Sequence, residues 1–165
     1  MHDHEHGWWD VAQICLNGHI VNQRVIEDRD HCQPFCDRCG RGTITACRRC
    51  SAPIRGEYHA PTVYFLDSIQ LPAYCLACGA PYPWTEQRIR AAKELADEID
   101  GLKPHERELL KGSIDDLLND TPRTELAIVR FKRLAAKAGE DATVGLREIL
   151  VSIVSEAVKH AIWGV

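Results

Sequence analysis

The chain has no lysine before Lys93 and no cysteine after Cys78. That segregation argues for two small domains in the 165 residues rather than one large one, with the boundary near Pro81-Tyr82-Pro83-Trp84-Thr85. No apolar run approaches the roughly 20 residues that cross a bilayer. The longest, Ile149 to Ile162, is broken by Ser152, Ser155, Glu156, Lys159 and His160, so no membrane partner is expected. The N-terminus, Met1 to Trp9, has no basic stretch leading into an apolar core, so no secretory signal is read there. A cytoplasmic location follows, where reducing conditions favour metal thiolates over disulfides. The sequence also lacks a phosphate-binding glycine loop, an H-E-x-x-H motif and a nucleophile-elbow serine. An enzyme is therefore the least favoured of the function classes.

What the first half does contain is a set of metal-binding half-sites: Cys15-Leu16-Asn17-Gly18-His19, Cys36-Asp37-Arg38-Cys39-Gly40, Cys47-Arg48-Arg49-Cys50 and Cys75-Leu76-Ala77-Cys78-Gly79. Two residues between cysteines let both sulfurs face one point, and each pair supplies two of the four ligands of a tetrahedral zinc ion. The ligand set is Cys15, His19, Cys36, Cys39, Cys47, Cys50, Cys75 and Cys78, enough for about two structural Zn2+ ions per chain. Glycine after the second cysteine permits the left-handed turn that closes a knuckle; Cys50 is followed by Ser51 instead.

Two pairings are open, of which the consecutive one is favoured. Consecutive pairing joins Cys15, His19, Cys36 and Cys39 on one ion and the last four cysteines on the other. The nested rival closes Cys36, Cys39, Cys47 and Cys50 around one ion. The intervening stretches carry strand-like patches, Ile20 to Ile26 and Pro61 to Leu66, and consecutive pairing then yields two tandem zinc ribbons. Cys32 is left over as a free thiol. His2, His4 and His6 alternate with acids in a tail assigned to residues 1–10. A thiol-redox role for C-x-x-C lacks the βαβ setting it needs.

These motifs, together with Ile54-Arg55-Gly56-Glu57-Tyr58, the stretch Tyr74 to Thr85, and Asp120 to Thr124 with Arg130-Phe131-Lys132, resemble an uncharacterised bacterial zinc-ribbon family, domain of unknown function 2321. The resemblance runs from about Val11 to the last helix. It implies the same zinc ligands and supplies no activity; Cys32 and the histidine-bearing N-terminus fall outside its pattern.

The second half reads as about four helices packed as a bundle. Thr85 caps the first, which carries Ile89, Ala92, Leu95, Ala96 and Ile99 and stops at Gly101. Pro104 opens the second, with Leu109, Leu110, Ile114, Leu117 and Leu118 on its apolar side. Thr121-Pro122 opens the third, carrying Leu126, Ile128, Val129, Phe131 and Leu134 up to Gly139. The fourth starts at Asp141 or Thr143 and runs through Leu146, Ile149, Leu150, Ile153, Val154, Ala157, Val158, Ala161 and Ile162. That stripe is wide enough to touch a second copy as well as its own neighbours.

The expected architecture is thus α+β: a polar tail over 1–10, a double zinc-ribbon domain over 11–84 and a helical domain over 85–165. The leading function is a non-catalytic adaptor that docks an unidentified protein partner, or a second copy through its C-terminal helices. The alternative is nucleic-acid binding. Arg38, Arg41, Arg48, Arg49 and Arg55 face a single aspartate, Asp37, between Cys36 and Gly56, and Tyr58, Tyr64, Phe65 or Tyr74 offer faces for unpaired bases. The formal charge of −4 on the whole chain opposes that alternative. Glu57, Tyr58 and His59 form no site if extended, because neighbours on a strand point apart, and His105 and His160 read as helix-surface residues.

Overall fold

A computed structural model of the chain describes residues 7–60, 69–119 and 121–165. The fold is mixed α+β: small antiparallel sheets come first, then helices. It divides into two compact units, Met1–Trp84 and Thr85–Val165.

In the first unit, β1 (Trp8–Val11) pairs with β5 (Arg55–His59) as a two-stranded ribbon. A second sheet has the order β3-β2-β4, with β2 (Gln13–Cys15) between β3 (Ile20–Asn22) and β4 (Thr43–Ile44). Its core gathers Ala12, Ile14, Ile54, Tyr82 and Trp84 around Cys47 and Cys75. β1 corrects the reading of residues 1–10 as a tail, since Trp8, Trp9 and Asp10 belong to the sheet. His2, His4 and His6 lie outside the described residues, as does the strand-like patch Pro61 to Leu66. The patch Ile20 to Ile26 is strand only to Asn22. There the Asn22 side chain accepts the Arg24 N–H at 2.8 Å and donates to the Asp28 carbonyl at 2.7 Å, turning the chain locally.

Among the described residues there are five α-helices: α1 (Pro83–Asp97), α2 (Pro104–Leu118), α3 (Thr124–Ala138), α4 (Glu140–Leu150) and α5 (Glu156–Trp163). The expected fourth helix is two. Val151, Ile153 and Val154 are β-branched and favour helix poorly, and Ser155 caps a new start by accepting the Val158 N–H. The break lets Leu146, Leu150, Ile153, Val154 and Val158 all turn inward, leaving Ala157 exposed. α1 begins at Pro83, which suits a first helical position, so Thr85 is an interior, fully buried residue and not a cap. α3 begins at Thr124: its hydroxyl donates to the Asn119 carbonyl at 2.7 Å and accepts the Thr121 N–H at 3.0 Å, which holds Thr121 and Pro122 in a turn before the helix. The α3 core arc is Ala127, Phe131 and Leu134; Leu126 and Val129 point away from it, as does Leu109 on α2. Each apolar side is narrower than the run of apolar letters, because one helix has room for a single stripe.

Candidate metal centres

The three C-x-x-C segments fold identically. The first cysteine's N–H donates to the carbonyl five residues on, Cys36 to Arg41, Cys47 to Ala52 and Cys75 to Ala80, each at 2.8 Å. The residue four on returns its N–H to that cysteine's carbonyl, Gly40 to Cys36, Ser51 to Cys47 and Gly79 to Cys75, again at 2.8 Å. That returning residue is left-handed in all three, with φ of 68° at Gly40, 61° at Ser51 and 69° at Gly79. Ser51 thus takes a conformation that glycine adopts freely and a side chain resists. The knuckles are closed by antiparallel bridges, Phe35 to Gly42, Ala46 to Pro53 and Tyr74 to Pro81. In each, the first cysteine is buried, while Cys39 and Cys50 are exposed and Cys78 is half-buried.

Cys15 and His19 sit at the two ends of the β2–β3 turn. The Cys15 N–H reaches the His19 carbonyl at 2.9 Å, and the His19 N–H points at Cys15 Sγ, 3.3 Å away. Gly18 makes the turn with φ of 88°; a Cβ there would lie 3.0 Å from Leu71 Cδ2 and 3.1 Å from Trp84 Cβ. β2 also pairs with β4, placing Cys15 beside Thr43, and so brings this turn to the knuckle that precedes β4.

Two groups result, Cys15-His19-Cys36-Cys39 and Cys47-Cys50-Cys75-Cys78, with the ligand-type atoms of each within 4.8 Å of one another. The grouping is consecutive rather than nested. Cys15 Sγ lies 3.8 Å from Cys39 Sγ, and Cys36 Sγ lies 3.6 Å from His19 Nδ1. In the second group Cys47 to Cys78 is 3.8 Å and Cys50 to Cys75 is 3.7 Å. A tetrahedral ion with metal–sulfur bonds of about 2.3 Å and a metal–nitrogen bond of about 2.0 Å needs S···S of about 3.8 Å and S···N of about 3.5 Å. Both groups can therefore hold such an ion with little rearrangement, His19 through Nδ1.

Electrostatics fit the same conclusion. The N–H groups of Cys78 and Ala77 draw the Cys75 thiol down to about 6. The Arg41 N–H lowers Cys39, whereas burial raises Cys15. Cys50, although favoured by the Ala52 N–H, is pushed up to about 12 by desolvation and by the sulfurs of Cys78, Cys75 and Cys47. Sulfurs this close cannot all ionise unless a cation joins them. Burial, then the Cys75 sulfur, raises Tyr82 well above its ordinary range, so its hydroxyl stays a donor toward Cys75. Tyr82 stacks on Trp84 at 4.8 Å, and Trp84 Nε1 donates to the Pro72 carbonyl at 2.7 Å.

Arg38, Arg48 and Arg49 lie within the knuckles, Arg41 follows one, and Arg55 stands on β5. Arg38, Arg41, Arg48, Arg49 and Arg55 are all exposed, and none forms an ion pair among the described residues. Arg55 lies over the Trp9 ring at 4.6 Å, and Tyr58 tilts against Trp9 at 4.9 Å. Tyr74 is half-buried; Tyr64 and Phe65 lie outside the described residues. Cys32 joins neither group and meets the Asn22 amide at 3.6 Å. His105 and His160 are exposed on α2 and α5.

One cluster was not anticipated from the sequence: Asp10, Glu27 and His59. Asp10 is 1% exposed. Its carboxylate accepts the N–H groups of Val11 at 2.6 Å, Ile26 at 2.8 Å and Glu27 at 3.3 Å, and faces His59 Nε2 at 3.2 Å. With both oxygens committed, Asp10 pins the turn after β3 onto β1 and has little capacity left for an ion. Tyr58 turns to the opposite side of the strand from its neighbours and meets Trp9, whereas Glu57 and His59 share the other side: Glu57 faces Arg24 at 3.6 Å, and His59 stacks on Trp8 with its Nδ1 3.9 Å from Glu27.

A family model described as an uncharacterized protein conserved in bacteria (DUF2321) matches residues 8–162. No curated protein and no solved structure matches the chain.

Proposed function

The chain belongs to this bacterial family, and from that premise we propose that it is a non-catalytic interaction module built on two structural zinc ions in tandem zinc ribbons. Cys15, His19, Cys36 and Cys39 would hold one ion; Cys47, Cys50, Cys75 and Cys78 would hold the other. The observation that carries the reading is that each group is complete. Four donors, 3.6 to 3.8 Å apart in the pairs measured, close a tetrahedron and leave no position for a reacting water. Thiolate and imidazole donors suit zinc and exclude hard cations. When bound, zinc supplies cross-linking, worth about 10 to 16 kcal/mol in small zinc domains, to a unit whose sheets are short. Retaining that many thiolates is compatible with a reducing, cytoplasmic setting. Among the described residues no helix is long and apolar enough to cross a membrane.

Replacing Cys36 and Cys39 together with serine tests the assignment. Elemental analysis should find one zinc fewer per chain, with the second centre retained; unchanged metal content would refute it.

Nucleic-acid binding is the second reading, favoured by five exposed arginines free of ion pairs among the described residues. Against it, residues up to Trp84 hold seven arginines and nine carboxylates, a formal balance of −2. Four thiolates around a dication would add about −2, and three with an imidazole about −1. The arginines beside the knuckles therefore have nearby negative charge to offset without any polyanion. A protein is the favoured partner. A second copy is a lesser candidate, because the apolar stripe of α4 and α5 is largely consumed inside its own unit.

A further inference from the structure

We propose that the first unit docks an extended peptide segment that sets one apolar side chain into a recess beside Trp9 and one carboxylate against Arg55. This deepens the interaction-module reading and rests on it. The recess has a volume of about 200 Å³, with walls that include Trp9, Pro53, Pro72, Tyr74 and Leu76 over a floor of Ile54 and Tyr82. That is below the roughly 300 to 1,000 Å³ of small-molecule sites and suits a single side chain.

Its rim is unusually apolar for solvent: Trp9 is 48% exposed and Leu76 73% exposed. Trp9 and Tyr58 are cross-strand partners on one side of the β1–β5 ribbon, and Arg55 covers part of the Trp9 ring at 4.6 Å. Tryptophan, tyrosine and arginine are the residues that most often anchor protein interfaces. Here they are already packed on one another, so little ordering is needed on binding.

Charge selects the occupant. Among the described residues, two charged ones line the recess, Asp10 and Arg55. Asp10 is buried and its oxygens are filled by backbone N–H groups and His59, which leaves the Arg55 guanidinium to be met. One apolar side chain next to one carboxylate satisfies the site. A polyanion needs several cations to neutralise its phosphates, and among the described residues Arg55 is the one cation that lines the recess. The recess also draws two walls from the second metal centre: Ala52 and Pro53 follow one knuckle, and Leu76 and Ala77 lie within the other. Its shape then depends on that centre being intact.

Selection of random short peptides displayed on phage, against the zinc-loaded full chain, tests the proposal. Enriched peptides should share an apolar residue adjacent to Asp or Glu. Their synthetic copies should lose about tenfold or more in affinity against Trp9→Ala and against Arg55→Glu, with partial retention by Arg55→Lys. Leu76→Glu, at an exposed position, should weaken them similarly, and zinc content and circular dichroism will establish that each variant is folded. Failure to enrich peptides, or a shared motif without the carboxylate, would overturn the proposal. Enriched peptides that ignore Trp9→Ala, Arg55→Glu and Leu76→Glu would sink this recess while leaving an interaction role intact. An oligothymidylate whose binding depends on Trp9 and displaces the peptides would assign the recess to nucleic acid instead.

Discussion

Replacing Ser51 with glycine should tighten metal binding at the second centre. Ser51 occupies the position held by Gly40 and Gly79 in the other two knuckles, with the same 2.8 Å bond back to the first cysteine and a φ of 61°. A side chain in that left-handed conformation costs about 1 to 2 kcal/mol. Glycine removes the cost but surrenders roughly 0.5 to 1 kcal/mol of unfolded-chain entropy. The net gain is about 0.5 to 1 kcal/mol, or roughly two- to fivefold in affinity. Gly79→Ala imposes the same strain on the partner knuckle. An added Cβ there meets nothing within 4 Å, so its cost is purely backbone, of similar size and opposite sign. Competition of the zinc-loaded chain against a chromophoric chelator would measure both, with the double variant returning near the starting affinity if the terms add. Weaker binding by Ser51→Gly, or no loss in Gly79→Ala, would refute the argument from backbone conformation.

Gly18→Ala should destabilise the first unit by about 2 kcal/mol, combining left-handed strain with crowding against Leu71 and Trp84; thermal melts and zinc retention at the first centre read it directly. Phe131→Ala empties a site 1% exposed whose ring meets Trp163 edge-on at 6.1 Å, and should cost the helical unit about 3 to 5 kcal/mol in denaturant unfolding. Glu106 is bonded by Lys137 Nζ at 2.6 Å and by the Lys103 N–H at 2.8 Å, which hold its carboxyl below the ordinary 4.5. Its contribution is therefore complete above pH 4.5 and lost as pH falls through the lowered value. Melts of wild type and Glu106→Gln should differ at neutral pH and converge in acid; a constant difference across that window would contradict the assignment.

The half-sites were legible because a C-x-x-C knuckle is local: its bonds span five residues and its turn needs one left-handed position. Which half-sites meet was legible only as a preference for consecutive pairing. That depends on β2 lying between β3 and β4, which carries Cys15 to a knuckle 21 residues on. Trp8 and Trp9 were hidden in the supposed tail because Asp10 breaks their apolar pattern. A buried carboxylate looks forbidden until its N–H donors are known, and two of the three come from Ile26 and Glu27, far along the chain. In the second half, Pro104 and Gly139 bounded helices as proline and glycine usually do. The split at Ser155 was obscured because apolar residues continue on both sides of it. The recess at Trp9 could not be anticipated, since its walls come from four separate segments.

Native mass spectrometry of the full chain, before and after chelation, counts the ions in the two centres. Two zinc ions should be bound per chain and lost on chelation, together with a shift to the broad charge-state distribution of an unfolded first unit. A chain that carries no metal, one ion, or a mass showing its cysteines joined as disulfides would contradict the assignment of two zinc centres.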